Sequence, residues 1–130
     1  MNKYIPGDLV SVYVGVKKYI VEVIGTENEN EVLLYQIKFP NGEIQYADKD
    51  NIVPIPLTPE ILEKNGWKKD GKWYKLATKR AYLYITKDAK VNDEFLVCVG
   101  DDKHNLASVS FVHELQHLLY GLKINSEMEV

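Results

Sequence analysis

Disulfides, membrane spans and several catalytic motifs are missing from this 130-residue sequence. Its single cysteine, Cys98, has no second cysteine in the chain to pair with, as is usual in a reducing compartment. No apolar run approaches the roughly 20 residues that a membrane helix needs, and the first residues do not contain the apolar core of a signal peptide. A glycine-rich phosphate loop, a Gly-x-Ser-x-Gly string and a Cys-x-x-Cys pair are also missing. We therefore expect a cytoplasmic protein that does not bind membranes.

The composition is otherwise ordinary for a globular protein, with 45% hydrophobic and 27% charged residues. The net charge of −3 is unevenly distributed. Residues 64–80 contain seven cations and one acid, a balance of +6, which leaves −9 for the rest of the chain. Such a basic stretch is either an electrostatic footprint for an anionic partner or the solvated side of a hairpin. Cys98 lies among apolar residues and is expected to be a small buried hydrophobe.

The first half of the chain has strong strand signals. Runs rich in β-branched and aromatic residues lie at residues 8–14, 19–24, 32–39 and 44–47. The Asn41-Gly42 dipeptide between the last two runs is a strong hairpin signal. Four or five short strands within about 55 residues tend to curl into a small barrel.

This first half resembles an SH3-like or Tudor-like barrel. The resemblance rests on Pro-Gly-Asp-Leu-Val at residues 6–10, Phe-Pro-Asn-Gly-Glu at 39–43, Tyr-Ala-Asp at 46–48 and Ile-Val-Pro at 52–54. It implies a five-stranded barrel over residues 4–54. Because barrels of this kind commonly bind peptides or nucleic acids, it also implies a binding role, although a fold alone does not fix a function.

The second half begins after a stiff connector that contains Pro54 and Pro56. Thr58 and Pro59 predict the start of a short helix, which Asn65 and Gly66 would end. Strand signals follow at residues 73–76, 81–86, 94–99 and 106–110, and a final helix is predicted at about 112–122. The predicted fold class is α+β: a small SH3-like β-barrel in residues 1–55, then in residues 56–130 a helix, a four-stranded antiparallel sheet and a helix.

The final helix carries the one string with recognisable chemistry, His113-Glu114-Leu115-Gln116-His117. In zinc hydrolases, two histidines four residues apart on a helix bind the metal, and the glutamate polarises its bound water. A catalytic zinc normally needs a third protein ligand, and the carboxylates that follow, Glu127 and Glu129, lie in what looks like a frayed tail. The helical periodicity places the two histidines opposite the apolar side. We therefore expect a solvated helix face and no cofactor, and a zinc site of His113, Glu114 and His117 is the alternative.

A second group of candidate residues is aromatic and basic. The candidate binding residues are Trp67, Lys68, Lys69, Lys72, Trp73 and Lys75, near further aromatic side chains at 74, 82 and 84. Aromatic faces stack on bases while lysines contact phosphates, so the group is compatible with nucleic-acid binding. The competing interpretation is that alternate aromatic residues form a core and that the lysines are the solvent side of a hairpin.

Parts of the second half are similar to a family of short uncharacterised proteins of gut Bacteroidetes and their phages or mobile elements. The similarity rests on Pro-Leu-Thr-Pro-Glu-Ile-Leu at residues 56–62 and Val-His-Glu-Leu-Gln at 112–116. In that family, asparagine often replaces the residue at His117, and glutamine is found at Glu114. The family has no established activity to carry over, and the resemblance implies only a protein of a mobile element or phage. The barrel pattern, joined to a second half that is poor in metal ligands and clefts, predicts a non-enzymatic accessory protein that binds a protein partner. A nucleic-acid-binding module and a zinc-dependent hydrolase are the alternative functions.

Overall fold

The computed structural model describes residues 3–87 and 94–130, which contain ten β-strands and two α-helices. The chain divides into two compact units between Ile55 and Pro56. All strand pairs within the two sheets are antiparallel. None of the helices in the described part of the chain is long and apolar enough to cross a bilayer.

The first unit is a five-stranded sheet in the order β4-β3-β2-β1-β5. Its strands are β1 (Leu9–Val14), β2 (Lys17–Glu29), β3 (Val32–Lys38), β4 (Ile44–Asp48) and β5 (Ile52–Pro54). The predicted five strands are present, but the prediction of a closed barrel is wrong. The described strands β4 and β5 form the two edges of an open sheet. A register shift between Val23 and Gly25 bends β2 without joining those edges.

The core of the first unit follows from the alternation of side chains along its strands. Val10 pairs with Val21, and Val23 pairs with Ile37, so these apolar side chains share one face. The ring of Tyr4 packs edge-on against Tyr35, with 5.5 Å between ring centroids. These six side chains are each at most 2% exposed, and they account for the strong strand signal of this half.

The second unit contains a five-stranded meander in the order β10-β9-β8-β7-β6. Its elements are α1 (Pro59–Lys64), β6 (Lys68–Asp70), β7 (Trp73–Ala77), β8 (Tyr82–Lys87), β9 (Phe95–Val99), β10 (His104–Val109) and α2 (Val112–Gly121). The predicted four-stranded sheet is wrong because the three residues of β6 also pair with β7. The α+β class is wrong as well, since the described chain is mostly β-structure in two antiparallel sheets and its two helices are short. A three-residue strand is too short to show a recognisable sequence pattern.

The first helix forms as its sequence predicts. The Thr58 side chain accepts a hydrogen bond from the Ile61 amide at 3.3 Å, and Pro59 occupies the first turn. Gly66 adopts a φ of +89°, which a residue with a side chain rarely takes, and the helix stops there. The Leu57 amide donates to the Ser110 carbonyl at 3.0 Å, so the segments that lead into the two helices are joined.

The second helix buries the apolar side that its periodicity predicts, and two polar side chains as well. Val112, Leu115 and Leu119 are at most 3% exposed, and His113 and Gln116 are each 4% exposed. The prediction that His113 lies on a solvated face is therefore wrong. The Gln116 side chain donates to the Ser126 carbonyl at 3.1 Å, because the segment after α2 returns along the helix.

The predicted frayed tail is wrong too. Asn65 exchanges two hydrogen bonds with the backbone of Glu129, at 2.7 and 2.8 Å. The Lys64 ammonium group also donates to the Val130 carbonyl at 3.1 Å. The C-terminal segment is thus attached to the end of α1, and this attachment is what gives α2 polar neighbours that the sequence pattern does not reveal.

Candidate functional site

The two faces of the second sheet differ in character, and the strand register determines which residues share a face. Directly paired residues of antiparallel strands point to the same side. Leu83 pairs with Val99 and Ile85 with Val97, and this side is largely buried. Aromatic and cationic residues lie on the opposite side. We define the aromatic–lysine face as Trp73, Lys75, Tyr82, Tyr84 and Lys103.

The strands bring the members of this face together from distant parts of the chain. Lys75 of β7 pairs with Tyr84 of β8, and Tyr82 lies two residues earlier on the same side of β8. Lys103 reaches the face from the turn between β9 and β10, where its amide donates to the Gly100 carbonyl at 3.0 Å. Three separate segments of the second unit therefore build the face.

The cations of this face lie over aromatic rings. The Lys75 ammonium group is 3.9 Å from the ring centroid of Tyr82, and that of Lys103 is 4.5 Å from the ring centroid of Tyr84. The ring of Trp73 meets Tyr84 edge-on, with 6.2 Å between centroids. Each cation is attracted by the negative face of its ring, so the rings hold the two ammonium groups in place.

The electrostatic balance around this face is positive. Lys72 lies 5.8 Å from the Trp73 ring centroid, and Lys68 pairs with Lys75 on the neighbouring strand. Two acids among the described residues lie on this side: Asp70, which pairs with Trp73, and Asp101, which accepts a hydrogen bond from the Tyr84 hydroxyl at 3.4 Å. Four lysines against these two acids leave an excess of two positive charges, which favours anionic ligands.

Cys98 is directly paired with Tyr84 and therefore points to the same side of the sheet as this face. Its side chain is 5% exposed, so the prediction of a small buried hydrophobe is confirmed. Burial raises the pKa of the thiol, and the positive charge of Lys103 opposes the shift. A thiol that holds its proton is a poor nucleophile, so this position serves packing.

The structure separates the six binding residues that the sequence suggested. Trp73 and Lys75 belong to the aromatic–lysine face, and Lys68 and Lys72 flank it. The other two do not. Trp67 is 2% exposed and is part of the core, whereas Lys69 pairs with Tyr74 and therefore lies on the other side of the sheet.

Lys103 is the member of the face that sequence reasoning missed. It lies 23 residues after the end of the basic stretch, in a turn whose composition is simply polar. Only the pairing of β8 with β9 brings its turn beside Tyr84. Its φ of +53° is unusual for a residue with a side chain, but backbone angles are not readable from the sequence.

The His-Glu-x-x-His string has a structural role at the start of α2. The Glu114 carboxylate accepts hydrogen bonds from the amides of Ser110 and Phe111, at 2.7 and 3.0 Å. The His113 ring stacks on Phe111 and meets His117 edge-on, with centroid distances of 5.9 and 5.6 Å. Among the described residues, no three His, Cys, Asp or Glu side chains are placed to hold a metal ion. Glu114 therefore caps the helix, as the acid of a capping box does.

Comparison with known proteins does not assign this chain to a family. No protein-family model, no curated protein and no solved structure matches the chain. The similarity to proteins of gut Bacteroidetes and their mobile elements therefore stays a prediction, as does the role it implies. The aromatic–lysine face is the basis on which a function is proposed.

Proposed function

We propose that this chain is a non-enzymatic binding protein whose aromatic–lysine face binds an acidic segment of a partner protein. The observation that carries the proposal is the placement of two ammonium groups over aromatic rings, Lys75 over Tyr82 and Lys103 over Tyr84. Lysine side chains normally lose much conformational freedom when they bind an anion. Because the rings already restrict the side chains of Lys75 and Lys103, these lysines lose less conformational freedom when they bind an anion.

The aromatic residues suit a protein partner as well. Tyr82 is 44% exposed, and Trp73, whose ring meets Tyr84, is half-buried. Tyrosine and tryptophan offer large contact areas with few rotatable bonds, and they are enriched among the residues that dominate binding energy at protein interfaces. Carboxylates of the partner would meet Lys75 and Lys103, while its apolar side chains would cover the rings.

Single-stranded nucleic acid is the competing ligand, since lysines and aromatic rings also bind phosphates and bases. The geometry favours carboxylates for two reasons. The Tyr84 ring is only 5% exposed and offers little surface for stacking. The most exposed ring, that of Tyr82, has the Lys75 ammonium group 3.9 Å from its centroid, where a base would have to stack.

A titration with two probes tests the proposal. The probes are a 12-residue peptide of alternating glutamate and leucine and a 12-nucleotide oligothymidine, each added to the full chain at about 50 mM salt. Tryptophan fluorescence reports the face, because Trp67 is buried and Trp73 is partly exposed. We expect the peptide to bind and the affinity to fall as salt is raised, since the attraction between exposed charges is screened.

Paired variants locate the binding. The double variant Lys75→Gln and Lys103→Gln should weaken peptide binding by about 3–10-fold, as expected for two partly exposed ion pairs. The matched control, Lys38→Gln and Lys49→Gln, removes the same charge from exposed positions of the first unit and should leave the affinity unchanged. Binding of the oligonucleotide but not the peptide would replace this function with nucleic-acid binding. Binding of neither would show that the face is not an anion site.

A further inference from the structure

A groove of about 840 Å³ opens in the second unit, away from the aromatic–lysine face. It lies between the turn that follows β7, the middle of β10 and the segment that follows α2. Its apolar lining is Leu83, Val99, Leu106, Leu122 and Ile124. The volume falls within the roughly 300–1,000 Å³ of small-molecule sites, and such sites are mostly apolar with a few polar groups that fix the ligand.

A β-bulge directs one of the apolar side chains into this groove. Along β10, Asn105 pairs with Cys98 and Ala107 pairs with the next residue, Val97, so Leu106 is the extra residue of the bulge. Leu106 is 40% exposed and lines the groove. Bulges re-aim side chains and are frequent beside functional sites. The bulge therefore supplies apolar surface to the groove at the expense of regular pairing.

The cationic rim of the groove begins at a tightly bonded turn. Thr78 and Ala81 exchange backbone and side-chain hydrogen bonds: the Thr78 amide donates to the Ala81 carbonyl, and the Ala81 amide donates to the Thr78 hydroxyl, both at 3.1 Å. The Thr78 hydroxyl in turn donates to the Ala81 carbonyl. Between these residues, Lys79 and Arg80 are exposed and line the groove. The turn thus holds two adjacent cations at one end of an apolar surface.

The third cation of the rim occupies a position that favours glycine. After α2, the Ile124 amide donates to the Leu119 carbonyl at 2.9 Å and the Lys123 amide donates to the Tyr120 carbonyl at 3.0 Å. This pattern is a Schellman motif with Lys123 at the left-handed position, where its φ is +60°. A lysine there has a conformational cost that glycine avoids, and backbone strain of this kind concentrates at functional sites. Lys123 also lines the groove.

From these features we infer that the groove binds a small amphiphilic carboxylate, with an aliphatic chain along the leucines and its carboxylate among Lys79, Arg80 and Lys123. Charge complementarity selects the anion, because no carboxylate is among the described residues that line the groove. An aliphatic body matches the apolar lining, whose burial would supply the favourable free energy. This inference concerns a different site from the aromatic–lysine face and does not depend on the function proposed for that face.

Dodecanoate below its micelle concentration is the probe that tests this inference. Its binding to the full chain is followed by NMR of the backbone amides and leucine and isoleucine methyl groups. We expect saturable shifts at Leu106, Leu122 and Ile124. Dodecyltrimethylammonium, which has the same chain and a positive head, should bind at least about tenfold more weakly. Acetate, which has the carboxylate without the chain, should not bind measurably.

Two matched variants distinguish a charge-dependent site from nonspecific hydrophobic binding. The triple variant Lys79→Gln, Arg80→Gln and Lys123→Gln should bind dodecanoate about tenfold more weakly, as three partly exposed charge pairs predict. The control triple Lys49→Gln, Lys69→Gln and Lys87→Gln removes the same charge from exposed positions outside the groove and should bind like the wild type.

An independent change to the apolar lining keeps the test decisive if the triple variant folds poorly. Leu106→Asp places a carboxylate in the groove at a position that is 40% exposed, so it should abolish binding while the circular dichroism spectrum is retained. The inference is overturned if the wild type shows no saturable shifts at the groove residues. Equal affinities for the two dodecyl probes, or for the two triple variants, would overturn it as well.

Discussion

Replacing Glu114 tests whether the His-Glu-x-x-His string serves the fold. One oxygen of its carboxylate accepts hydrogen bonds from the Ser110 and Phe111 amides, at 2.7 and 3.0 Å. Hydrogen bonds to a charged group contribute a net of about 1.5–3 kcal/mol each. Because both converge on one half-buried oxygen, we expect Glu114→Ala to lower the free energy of unfolding by about 2–3 kcal/mol. Glu114→Gln keeps an acceptor oxygen and should cost only about 1 kcal/mol.

Tryptophan fluorescence during urea denaturation measures this effect in the second structural unit. The two tryptophans of the chain, Trp67 and Trp73, both belong to the second unit, which contains Glu114. For a domain of this size, 1 kcal/mol corresponds to about 4–8 °C in Tm, so Glu114→Ala should lower the thermal midpoint by about 10–20 °C. A capping role requires that added zinc and a chelator leave the wild-type midpoint unchanged.

Two results would refute the capping explanation. The first is equal stability of the Gln and Ala variants, since a cap depends on an acceptor oxygen at residue 114. The second is a chelator that lowers the wild-type midpoint and has no effect on a His117→Asn variant. That second result would show that the histidines hold a metal whose binding energy stabilises the fold.

Three further predictions concern stability. Leu115→Ala and His113→Ala should each lower the free energy of unfolding by about 2–5 kcal/mol in urea denaturation, because both side chains are at most 4% exposed. Leu118→Ala, at a half-buried position, should lower it by less than half as much. Lys123→Gly should raise the free energy of unfolding by about 0.5–1 kcal/mol, and with it the thermal midpoint, because glycine adopts the φ of +60° without strain; a lowered midpoint would contradict this. Burial, followed by the nearby Tyr35 and Asp8, raises the pKa of Tyr4 above 10.0. The folded first unit therefore binds this proton more tightly than the unfolded chain. The contribution of Tyr4 to stability should be constant below pH 10 and be lost as the pH rises further, so circular dichroism should show a smaller alkaline loss of stability in Tyr4→Phe.

Local signals in the sequence predicted the individual elements well. The strands of the first half, the Thr58 cap and the stop at Gly66 each depend on neighbours within a few residues, and each is found where it was expected. Closure of the barrel was not predictable in the same way. It requires hydrogen bonds between the two strands at the edges of the sheet, and no local pattern specifies whether those edges meet.

The residues of the candidate site were only partly predictable from the sequence. The basic and aromatic stretch pointed to Trp73 and Lys75, which share one side of the sheet, but alternation alone did not show that Trp67 is core or that Lys69 faces the other way. Those facts depend on the register of β6 against β7. Lys103 joined the site only through the pairing of β9 with β8, which no spacing in the sequence encodes.

Local patterns were enough to predict the antiparallel strands, the two short helices and the burial of Cys98. Apolar residues repeat every two positions in strands and about every 3.6 in helices, and capping residues mark the helix ends, so each signal depends on near neighbours alone. The burial of two polar side chains of α2 required the tertiary structure. Gln116 bonds to Ser126 in the segment that follows the helix, and His113 stacks on Phe111, contacts that helical periodicity does not predict. The tertiary structure likewise decided that Leu106 and Lys123 line one groove, since a bulge and a left-handed residue place them there.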